Sequence, residues 1–270
     1  MAFWIVIALC CGIVVFAALV FIERRQLHKR LRKQGQTLLN SHRSHRETFH
    51  ADQLDGLPKP VARYFRLVLQ EGQPLIRKAY LWHTGKFRMR FGGNWMSIRG
   101  EEYFSAARPG FLWIGKTKWF TAVDSFMQQH GRLKIWLLGL IRVVLSRGPK
   151  IDVSELQRWL GEAVWFPTSL LPSDHLQWLP LDDTSAELVY LYHRYIIRYV
   201  VHFNPEGYIE KMETDRYYNG RKLKRWVAFL SDYKRLGDVM IPETVSAAWD
   251  LGKADGTYAV FHVDYIKYGY

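Results

Sequence analysis

One stretch of the sequence matches the pattern of a phosphate-binding loop. Gly110, Gly115 and Lys116-Thr117 give the spacing G-x-x-x-x-G-K-[ST], in which a glycine-rich backbone cradles nucleotide phosphates. Such a loop needs small residues inside it and a helix that opens at the lysine. Here the interior residues are Phe, Leu, Trp and Ile, and the sequence after Lys116 continues as in a strand. We therefore interpret residues 110–117 as an ordinary β-strand that ends at a glycine turn.

The histidines and cysteines do not form a site. Four of the ten histidines lie in a basic segment at 23–50, and the other six are scattered singly, without the spacing of metal ligands. Both cysteines, Cys10 and Cys11, lie in an apolar N-terminal run, which leaves the rest of the chain without thiol chemistry. The G-x-S-x-G elbow of serine hydrolases is absent from the sequence. We predict no metal centre and no cofactor.

Carboxylates are the remaining candidates for proton transfer. Glu101-Glu102 and Asp182-Asp183 are adjacent in the sequence and Asp264 is isolated, but the sequence sets no distance between these groups. Glu162 lies beside an aromatic cluster and has two interpretations. It is either a buried acid with a raised pKa or a solvated residue in the last turn of a helix, and we favour the second. No catalytic residue is predicted.

The elements that would position these residues are mostly strands. Period-two alternation predicts strands at 80–90, 95–104, 188–192, 195–203, 208–217, 224–233, 239–249 and 258–268. Turns are predicted at Gly92-Gly93-Asn94, at Asn219-Gly220 and at Asp255-Gly256. An amphipathic helix is predicted over residues 52–69, and a second one from Asp152 to Val164 with a capping box between Asp152 and Glu155. The pattern indicates an α+β domain with an antiparallel sheet.

Residues 131–145, GRLKIWLLGLIRVVL, fit two structures because their apolar residues are too dense for either period. The segment is either a doubly covered pair of strands broken at Gly139 or a loop or helix that dips into a bilayer, with basic residues at headgroup level on both sides. We favour the strand pair.

The N-terminal 22 residues contain no charge and would extend roughly 30 Å as a helix, the thickness of a bilayer core. No basic residue precedes this run and no small-x-small cleavage site ends it, which favours an uncleaved anchor. The chain has 270 residues, of which 49% are hydrophobic, 23% charged and 15% aromatic. That balance excludes wholesale disorder and a multi-span membrane protein.

A basic segment follows the apolar run directly. Residues 23–47 carry eight positive and two negative charges, which is +6 of the net charge of +13. We predict that its first residues lie at the membrane surface: Arg24, Arg25, Lys29, Arg30, Arg32 and Lys33. Their position beside the anchor makes nucleic-acid binding the weaker interpretation, and we predict no nucleic-acid partner. The positive flank favours a cytoplasmic domain.

Several blocks resemble a bacterial domain family of unknown function. The blocks are GLPKPVARYFRLVLQEGQPLIRKAYLWHTGKF from Gly56, EEYF from Glu101, PGFLW from Pro109, EAVWFPTSLLPS from Glu162, DYK from Asp232 and IPETVSAAWDL from Ile241. The resemblance runs from about residue 54 to the end and implies the half-barrel fold of lipoprotein-localisation factors such as LolA. It implies a curved antiparallel sheet wrapped over one or two helices, with an apolar concavity able to hold acyl chains. It implies no catalytic residues, and carriers of that fold work outside the cytoplasm.

Together these observations predict three segments: a transmembrane anchor at 1–22, a basic juxtamembrane helix or linker at 23–50 and a β-rich half-barrel domain at 51–270. The domain is expected to bind a lipid or another hydrophobic ligand, with five aromatic residues in the wall: Trp113, Trp165, Phe166, Trp178 and Trp249. The alternatives are a membrane-bound scaffold for a protein partner, without a ligand cavity, and an enzyme acting on lipid, which would need clustered carboxylates or histidines in the concavity. The expected location is a bacterial inner membrane, with the domain on the cytoplasmic side by charge asymmetry and the extracytoplasmic side as the alternative.

Overall fold

The computed structural model describes residues 1–40, 47–89, 92–218, 220–236, 239–250, 252 and 256–270. Two predicted turn residues, Asn219 and Asp255, lie outside the described residues, as do positions 41–46 of the basic segment and position 90 of the first predicted strand.

The described residues form one sheet of 13 strands, each antiparallel to its neighbours. Its spatial order is β6-β5-β4-β3-β2-β1-β13-β12-β11-β10-β9-β8-β7, so the first and last strands of the domain pair with each other. The bounds are β1 Lys78–Phe87, β2 Met96–Ser105, β3 Gly110–Lys116, β4 Phe120–Met127, β5 His130–Leu137, β6 Ile141–Arg147, β7 Leu176–Pro180, β8 Ser185–Tyr192, β9 Tyr195–Phe203, β10 Ile209–Tyr218, β11 Lys222–Leu236, β12 Val239–Trp249 and β13 Thr257–Gly269. The predicted meander of six strands is confirmed as β8 to β13.

Two helices fill the concave face of the curved sheet. Helix α2, Lys59–Val68, begins later than the predicted start at residue 52, with Pro58 at its N-cap and Pro60 in its first turn. It buries Tyr64, Phe65 and Val68. Helix α3, Pro149–Glu162, packs over β3 to β6 on one side and β9 to β10 on the other. Short 3-10 turns at Ala163–Trp165 and Pro167–Leu170 continue from it. The predicted fold class, an antiparallel sheet curved over helices, is confirmed.

The predicted capping box in α3 is wrong. The helix begins three residues earlier than Asp152 because Pro149 supplies a fixed φ at the first helical turn, after Gly148. Asp152 therefore lies inside the helix, and its carboxylate accepts a hydrogen bond of 2.7 Å from the backbone amide of Gly131 in β5. The residue joins helix to sheet instead of capping the helix.

Strand β3 explains the apparent phosphate-loop pattern. Phe111 and Trp113 point to the concave core, whereas Leu112 and Ile114 belong to a second apolar cluster on the other face. A strand that is covered on both faces is apolar at successive positions, and this is the reason for the bulky residues between the two glycines. The stretch is a strand, as predicted.

The second face of β3 is covered by helix α1, Ala2–Leu39, which contains the apolar run and the first part of the basic segment. Leu31 and Gly35 are its buried residues, and Leu31 packs with Tyr103 and Ile114 of the sheet. A Cβ atom at Gly35 would lie 2.5 Å from the ring of Tyr103, so only glycine lets the helix approach this closely. The second half of α1 is thus a part of the domain.

We expect Gly35→Leu to lower the free energy of unfolding by about 1–3 kcal/mol, because the side chain would overlap the Tyr103 ring. Urea unfolding of the full chain in detergent, followed by tryptophan fluorescence, measures this. Gly12→Leu in the same helix is the matched control, since no atom lies within 4 Å of its Cβ position. Equal stabilities for the two variants would contradict the docking of α1.

Polar contacts fix the same helix. Arg32 donates two hydrogen bonds, of 2.8 and 2.9 Å, to the carboxylate of Glu101 in β2, and His28 lies 3.2 Å from that carboxylate. Lys116 of β3 is 3.3 Å from it. Burial raises the pKa of Glu101, but hydrogen bonds from His28 and Arg32 and the charge of Lys116 outweigh it and hold the pKa well below the ordinary value of 4.5.

We expect Glu101→Gln to destabilise the full chain by about 1.5–3 kcal/mol at neutral pH, because charge-assisted hydrogen bonds to α1 are lost. A carboxyl whose pKa is lowered by folding contributes stability above its unfolded pKa, and loses it as the pH falls towards the folded pKa. The difference between variant and wild type should therefore shrink below pH 4.5. Urea titrations from pH 3 to pH 7 measure it. Glu71→Gln, which removes an exposed carboxylate bonded to His50, should have little effect at any pH.

Residues 131–145 form the strand pair β5–β6 with a turn at 138–140, as favoured. The expectation that the pair is doubly covered is wrong for β6, which is the edge strand of the sheet. Ile141, Val143 and Leu145 are 62%, 54% and 42% exposed. Burial in the core therefore accounts for only some of the apolar residues in this segment.

Candidate functional site

A cavity of about 420 Å³ lies between α3 and the concave face of the sheet. Cavities that bind small molecules span about 300–1,000 Å³, so its size suits a single ligand. Aromatic side chains contribute much of its wall: Phe87, Trp113, Phe120, Trp165, Trp249 and Phe261. Such walls offer a large apolar surface to a ligand.

A row of three alanines makes room for this cavity. Ala228 of β11 is the cross-strand partner of Ala247 of β12, and Ala247 is the partner of Ala259 of β13. All three line the cavity. Cross-strand partners on one face lie next to each other, so the methyl groups form a shallow strip among larger side chains. The space that bulkier residues would fill is left open.

The cavity wall also contains charged residues from β4, β10 and α3, here called the charged end, with Arg158 of α3 at their centre. The Arg158 guanidinium donates hydrogen bonds to three carboxylates, Asp124 at 2.6 Å, Glu162 at 2.8 Å and Glu102 at 3.2 Å. It also lies over the Trp113 ring, 4.8 Å from its centroid. The side chain is held by hydrogen bonds at its edges and by an aromatic ring on its face, which fixes its position.

Two further charged residues border this cluster. Glu155 lies one helical turn before Arg158, is 7% exposed, and its Oε2 has no hydrogen-bond partner. Arg216 of β10 donates to the backbone oxygen of Ser154 at 2.9 Å and lies over the Trp226 ring at 4.8 Å. The Oδ1 atom of Asp124 is likewise buried without a partner. The charged end of the cavity therefore keeps free hydrogen-bonding capacity.

The cluster changes the ionisation of its members. Burial raises the pKa of Glu102 and of Glu155 well above 4.5, and repulsion between the carboxylates adds to this. Burial also raises the pKa of Asp124 and of Glu162, although the positive charge of Arg158 opposes it. Burial disfavours the charge of Arg158, but its carboxylate neighbours outweigh that effect and raise its pKa. The carboxyl groups of the cluster therefore bind protons at a higher pH than exposed carboxyl groups do, while Arg158 stays charged.

His83 of β1 borders the same wall. Its Nε2 accepts a hydrogen bond of 2.8 Å from the indole of Trp113, and its ring packs 4.3 Å from that of Phe261. Burial, reinforced by the charge of Arg158, lowers the pKa of His83 to about 3. The imidazole is therefore neutral at physiological pH and serves to orient Trp113. Throughout the described residues, no group of three or more His, Cys, Asp or Glu side chains has the geometry to hold a metal ion.

A family model matches residues 47–261, well over half of the chain, and spans α2, α3, β1 to β12 and the first part of β13. The chain belongs to the family of unknown function DUF6544. The predicted membership of a domain family of unknown function is confirmed. A search of curated proteins finds no significant relative of this DUF6544 protein.

Solved structures resemble the DUF6544 domain at low sequence identity. One is a LolA superfamily protein from Nitrosomonas europaea, with a TM-score of 0.44 and 9% identity over 78% of this chain and 93% of that chain. Another, described as an outer membrane lipoprotein-sorting protein domain from Vibrio parahaemolyticus, has a TM-score of 0.39 and 10% identity over 71% of this chain and 85% of that chain.

Three of the five predicted wall residues line the cavity of the DUF6544 domain. These are Trp113, Trp165 and Trp249. Phe166 and Trp178 do not line it. Phe166 is fully buried against Phe104, at 4.7 Å between ring centroids, and Trp178 donates from its indole to the backbone oxygen of Leu170 at 2.8 Å. Both belong to the core that supports the cavity.

The predicted membrane-surface residues fall into two groups, those that contact the domain and those that are exposed on α1. Arg32 binds Glu101, and the Arg24 guanidinium donates to the backbone oxygen of Lys118 at 2.8 Å, so both contact the sheet. The others are exposed on α1, and their contact with a membrane stays a prediction: Arg25, Lys29, Arg30 and Lys33.

The sequence did not reveal the charged cluster. The preferred interpretation of Glu162 as a solvated residue is wrong, because its carboxylate is bonded to Arg158 and its side chain is 16% exposed. Glu101 and Glu102 are adjacent in the sequence, yet alternation along β2 sends the two side chains to opposite faces, Glu101 to α1 and Glu102 to Arg158. The available signal is a charged residue, Glu102, on the face of β2 that also carries the core residues Ile98 and Phe104.

Proposed function

We propose that this protein is a membrane-tethered binding protein that holds a lipid or another apolar ligand in the cavity of its β-rich domain. The observation that carries the proposal is the cavity itself, about 420 Å³ with largely apolar walls that the protein's own side chains leave unfilled. Burial of apolar surface in such a space is favourable by about 25 cal/mol per Å². A ligand would supply the contacts that the alanine row does not.

The charged end gives the ligand an orientation. Buried carboxyl oxygens without partners favour a ligand group that can donate hydrogen bonds, because an unsatisfied buried polar atom costs about 1–3 kcal/mol. A ligand with an apolar body and a polar head would place its head at Arg158 and its body between Trp113 and Trp249. This arrangement suits a lipid better than a pure hydrocarbon.

Helix α1 is proposed to be the membrane anchor. Of the described residues, it contains the one helix stretch that is long and apolar enough to cross a bilayer, and none of that stretch is buried against the domain. We propose the plasma membrane of a bacterial cell, with the domain on the cytoplasmic side because the basic residues follow the apolar run. Labelling of an Ala107→Cys variant, free of Cys10 and Cys11, with an impermeant thiol reagent in intact cells tests the side. Labelling without lysis would place the domain outside.

The ligand is tested by extracting the full chain into nanodiscs or mild detergent and analysing bound molecules by mass spectrometry. We expect one class of lipid or apolar molecule to be retained at close to one per chain after exchange of the surrounding detergent. Recovery of the protein without any bound molecule, in a preparation that also fails to take up fluorescent lipid, would contradict the proposal. The scaffold alternative instead predicts a stoichiometric protein partner, and the open cavity weighs against it.

One observation favours a second candidate function, an enzyme that acts on the bound lipid. Glu155 is a buried carboxyl with a raised pKa beside an apolar cavity, and such groups serve as general acids or bases. The two functions differ in the fate of the ligand. A binding protein returns the lipid unchanged after prolonged incubation, whereas an enzyme converts it, and Glu155→Gln would abolish the conversion.

A further inference from the structure

Two turns of the sheet meet the helix at the point where its apolar run ends. The β3–β4 turn contains Lys118 and Trp119, and the β5–β6 turn spans residues 138–140. The backbone amide of Leu138 donates to the backbone oxygen of Trp119 at 2.8 Å, which ties the turns together. Arg24 of α1 donates to the backbone oxygen of Lys118 at 2.8 Å. Gly139 lies so close to Arg24 that an added Cβ would contact the Arg24 side chain.

The contacts with Arg24 place both turns beside the end of the apolar run of α1. The uncharged run ends at Ile22, and Arg24 is roughly 3 Å further along the helix axis at 1.5 Å per residue. If the run spans a bilayer, Arg24 lies at the headgroups. Both turns then lie there as well, because both contact Arg24.

Apolar side chains in the β3–β4 turn and on either side of the β5–β6 turn are exposed at this level. Trp119 is 55% exposed, Leu137 is 42% exposed and Ile141 is 62% exposed. Clusters of this kind on a domain surface mark a site of interaction. Tryptophan in particular favours the boundary between hydrocarbon and headgroups, since its ring is apolar and its N–H is polar.

Basic residues surround the apolar side chains. Lys118 lies over the Trp119 ring at 5.1 Å, Arg142 follows Ile141 and is exposed, and Arg25 is exposed on the neighbouring helix. Each such cation near an anionic membrane surface contributes about 1 kcal/mol of attraction. Apolar tips flanked by cations are the pattern of a segment that lies in the bilayer interface.

The lining of the cavity reaches the same edge of the sheet. The strand register places the end of β1, at Phe87, opposite Met96 of β2 and Ala259 of β13. The ends of β3 and β5 and the starts of β4 and β6 share this edge, because consecutive strands are antiparallel. Three residues at these strand ends line the cavity: Phe87, Phe120 and Tyr258. Met89 also lines the cavity, and it is 68% exposed.

We propose that the β3–β4 and β5–β6 turns form a second membrane contact, with the headgroup region of the bilayer that α1 spans, and that this contact holds the mouth of the cavity at the membrane. The inference rests on the proposed anchor and deepens the proposed function, since it names the lipids of that bilayer as the source of the ligand. A lipid would pass between bilayer and cavity without crossing bulk water.

Spin labels on single cysteines in the full chain test this proposal. Cys10 and Cys11 are replaced by serine, and one cysteine is introduced at a time, as Val14→Cys, Trp119→Cys, Leu140→Cys or Ala107→Cys. Each protein is reconstituted into vesicles of phosphatidylcholine and phosphatidylglycerol, and collisions with oxygen and with a water-soluble nickel complex report immersion. Val14 tests the anchor, and Ala107, in the β2–β3 turn at the opposite edge, is the matched aqueous control.

We expect oxygen to dominate at position 14, intermediate immersion at 119 and 140, and the nickel complex to dominate at 107. Immersion at 14 together with water exposure at 119 and 140 would overturn the second membrane contact and leave the anchor intact. Water exposure at 14 would contradict the anchor itself. Because the labels do not depend on a bound ligand, an empty cavity would count against ligand binding alone.

Discussion

Replacement of Arg158 by methionine is expected to lower the free energy of unfolding by about 3–5 kcal/mol at neutral pH, the usual cost of removing one partner from a buried ion pair. Methionine keeps the unbranched apolar stem and removes the charge. Asp124, Glu162 and Glu102 would then lie together without the cation that donates a hydrogen bond to each of them.

The loss should depend on pH with a definite sign. Burial already raises the pKa of Glu102, Asp124 and Glu162, and without Arg158 these values rise further. A carboxyl with a raised folded-state pKa binds more protons in the native state than in the unfolded state, so stability falls as the pH rises above its unfolded pKa. The Arg158→Met variant should therefore come closest to wild type near pH 4.5 and lose stability steadily towards pH 8.

Urea unfolding of the full chain between pH 4.5 and pH 8 measures this dependence. The matched control is Arg198→Met, which removes a surface arginine bonded to Glu187 at 3.0 Å with 55% of its side chain exposed. That variant should lose less than about 1 kcal/mol at every pH, as exposed ion pairs do. A loss for Arg158→Met that is as small as the control's, or flat with pH, would contradict the charged cluster.

The sequence predicts the architecture better than the site because strands and helices leave periodic patterns. Alternation along β9 and β10 and the apolar run of α1 are local signals, and both are confirmed as elements. The end of an element is less well determined. Asp152 and Glu155 have capping-box spacing, but the proline three residues earlier starts the helix and places both residues inside it.

The charged cluster has no local pattern. Arg158 is separated from Asp124 by 34 positions and from Glu102 by 56, and only the sheet topology brings them together. The aromatic residues show the same limit. Trp165 and Phe166 are neighbours in the sequence, yet one lines the cavity and the other is buried beside Phe104. Composition predicts that aromatic walls exist, but the register decides which rings face the open space.

The docking of α1 was also beyond the sequence. A basic segment beside an apolar run is typical of a membrane surface, and nothing in its charge pattern separates Arg32, which binds Glu101, from its exposed neighbour Lys33. The distinguishing feature is the spacing of Leu31 and Gly35, one helical turn apart, which marks the face that packs on the sheet.

The alanine row gives the sharpest test of ligand binding. Ala247→Phe places a ring on the middle strand of the row, between Ala228 and Ala259, in the space where a guest would lie. We expect lipid retained by the full chain to fall by more than about tenfold, which corresponds to at least 1.4 kcal/mol of binding free energy. Mass spectrometry of the purified protein and uptake of a fluorescent lipid measure the change.

The control is Ser246→Phe, which adds the same side chain one residue earlier on β12. Because successive residues of a strand face opposite sides, this ring points away from the cavity and should leave lipid binding unchanged. Ala259→Leu fills the cavity less, from the neighbouring position of the row, and keeps the test informative if Ala247→Phe does not fold. Its cost in stability should be small, since the added atoms enter open space, and its lipid content should lie between those of wild type and Ala247→Phe. If all three variants retain lipid as wild type does, the lipid does not occupy this cavity.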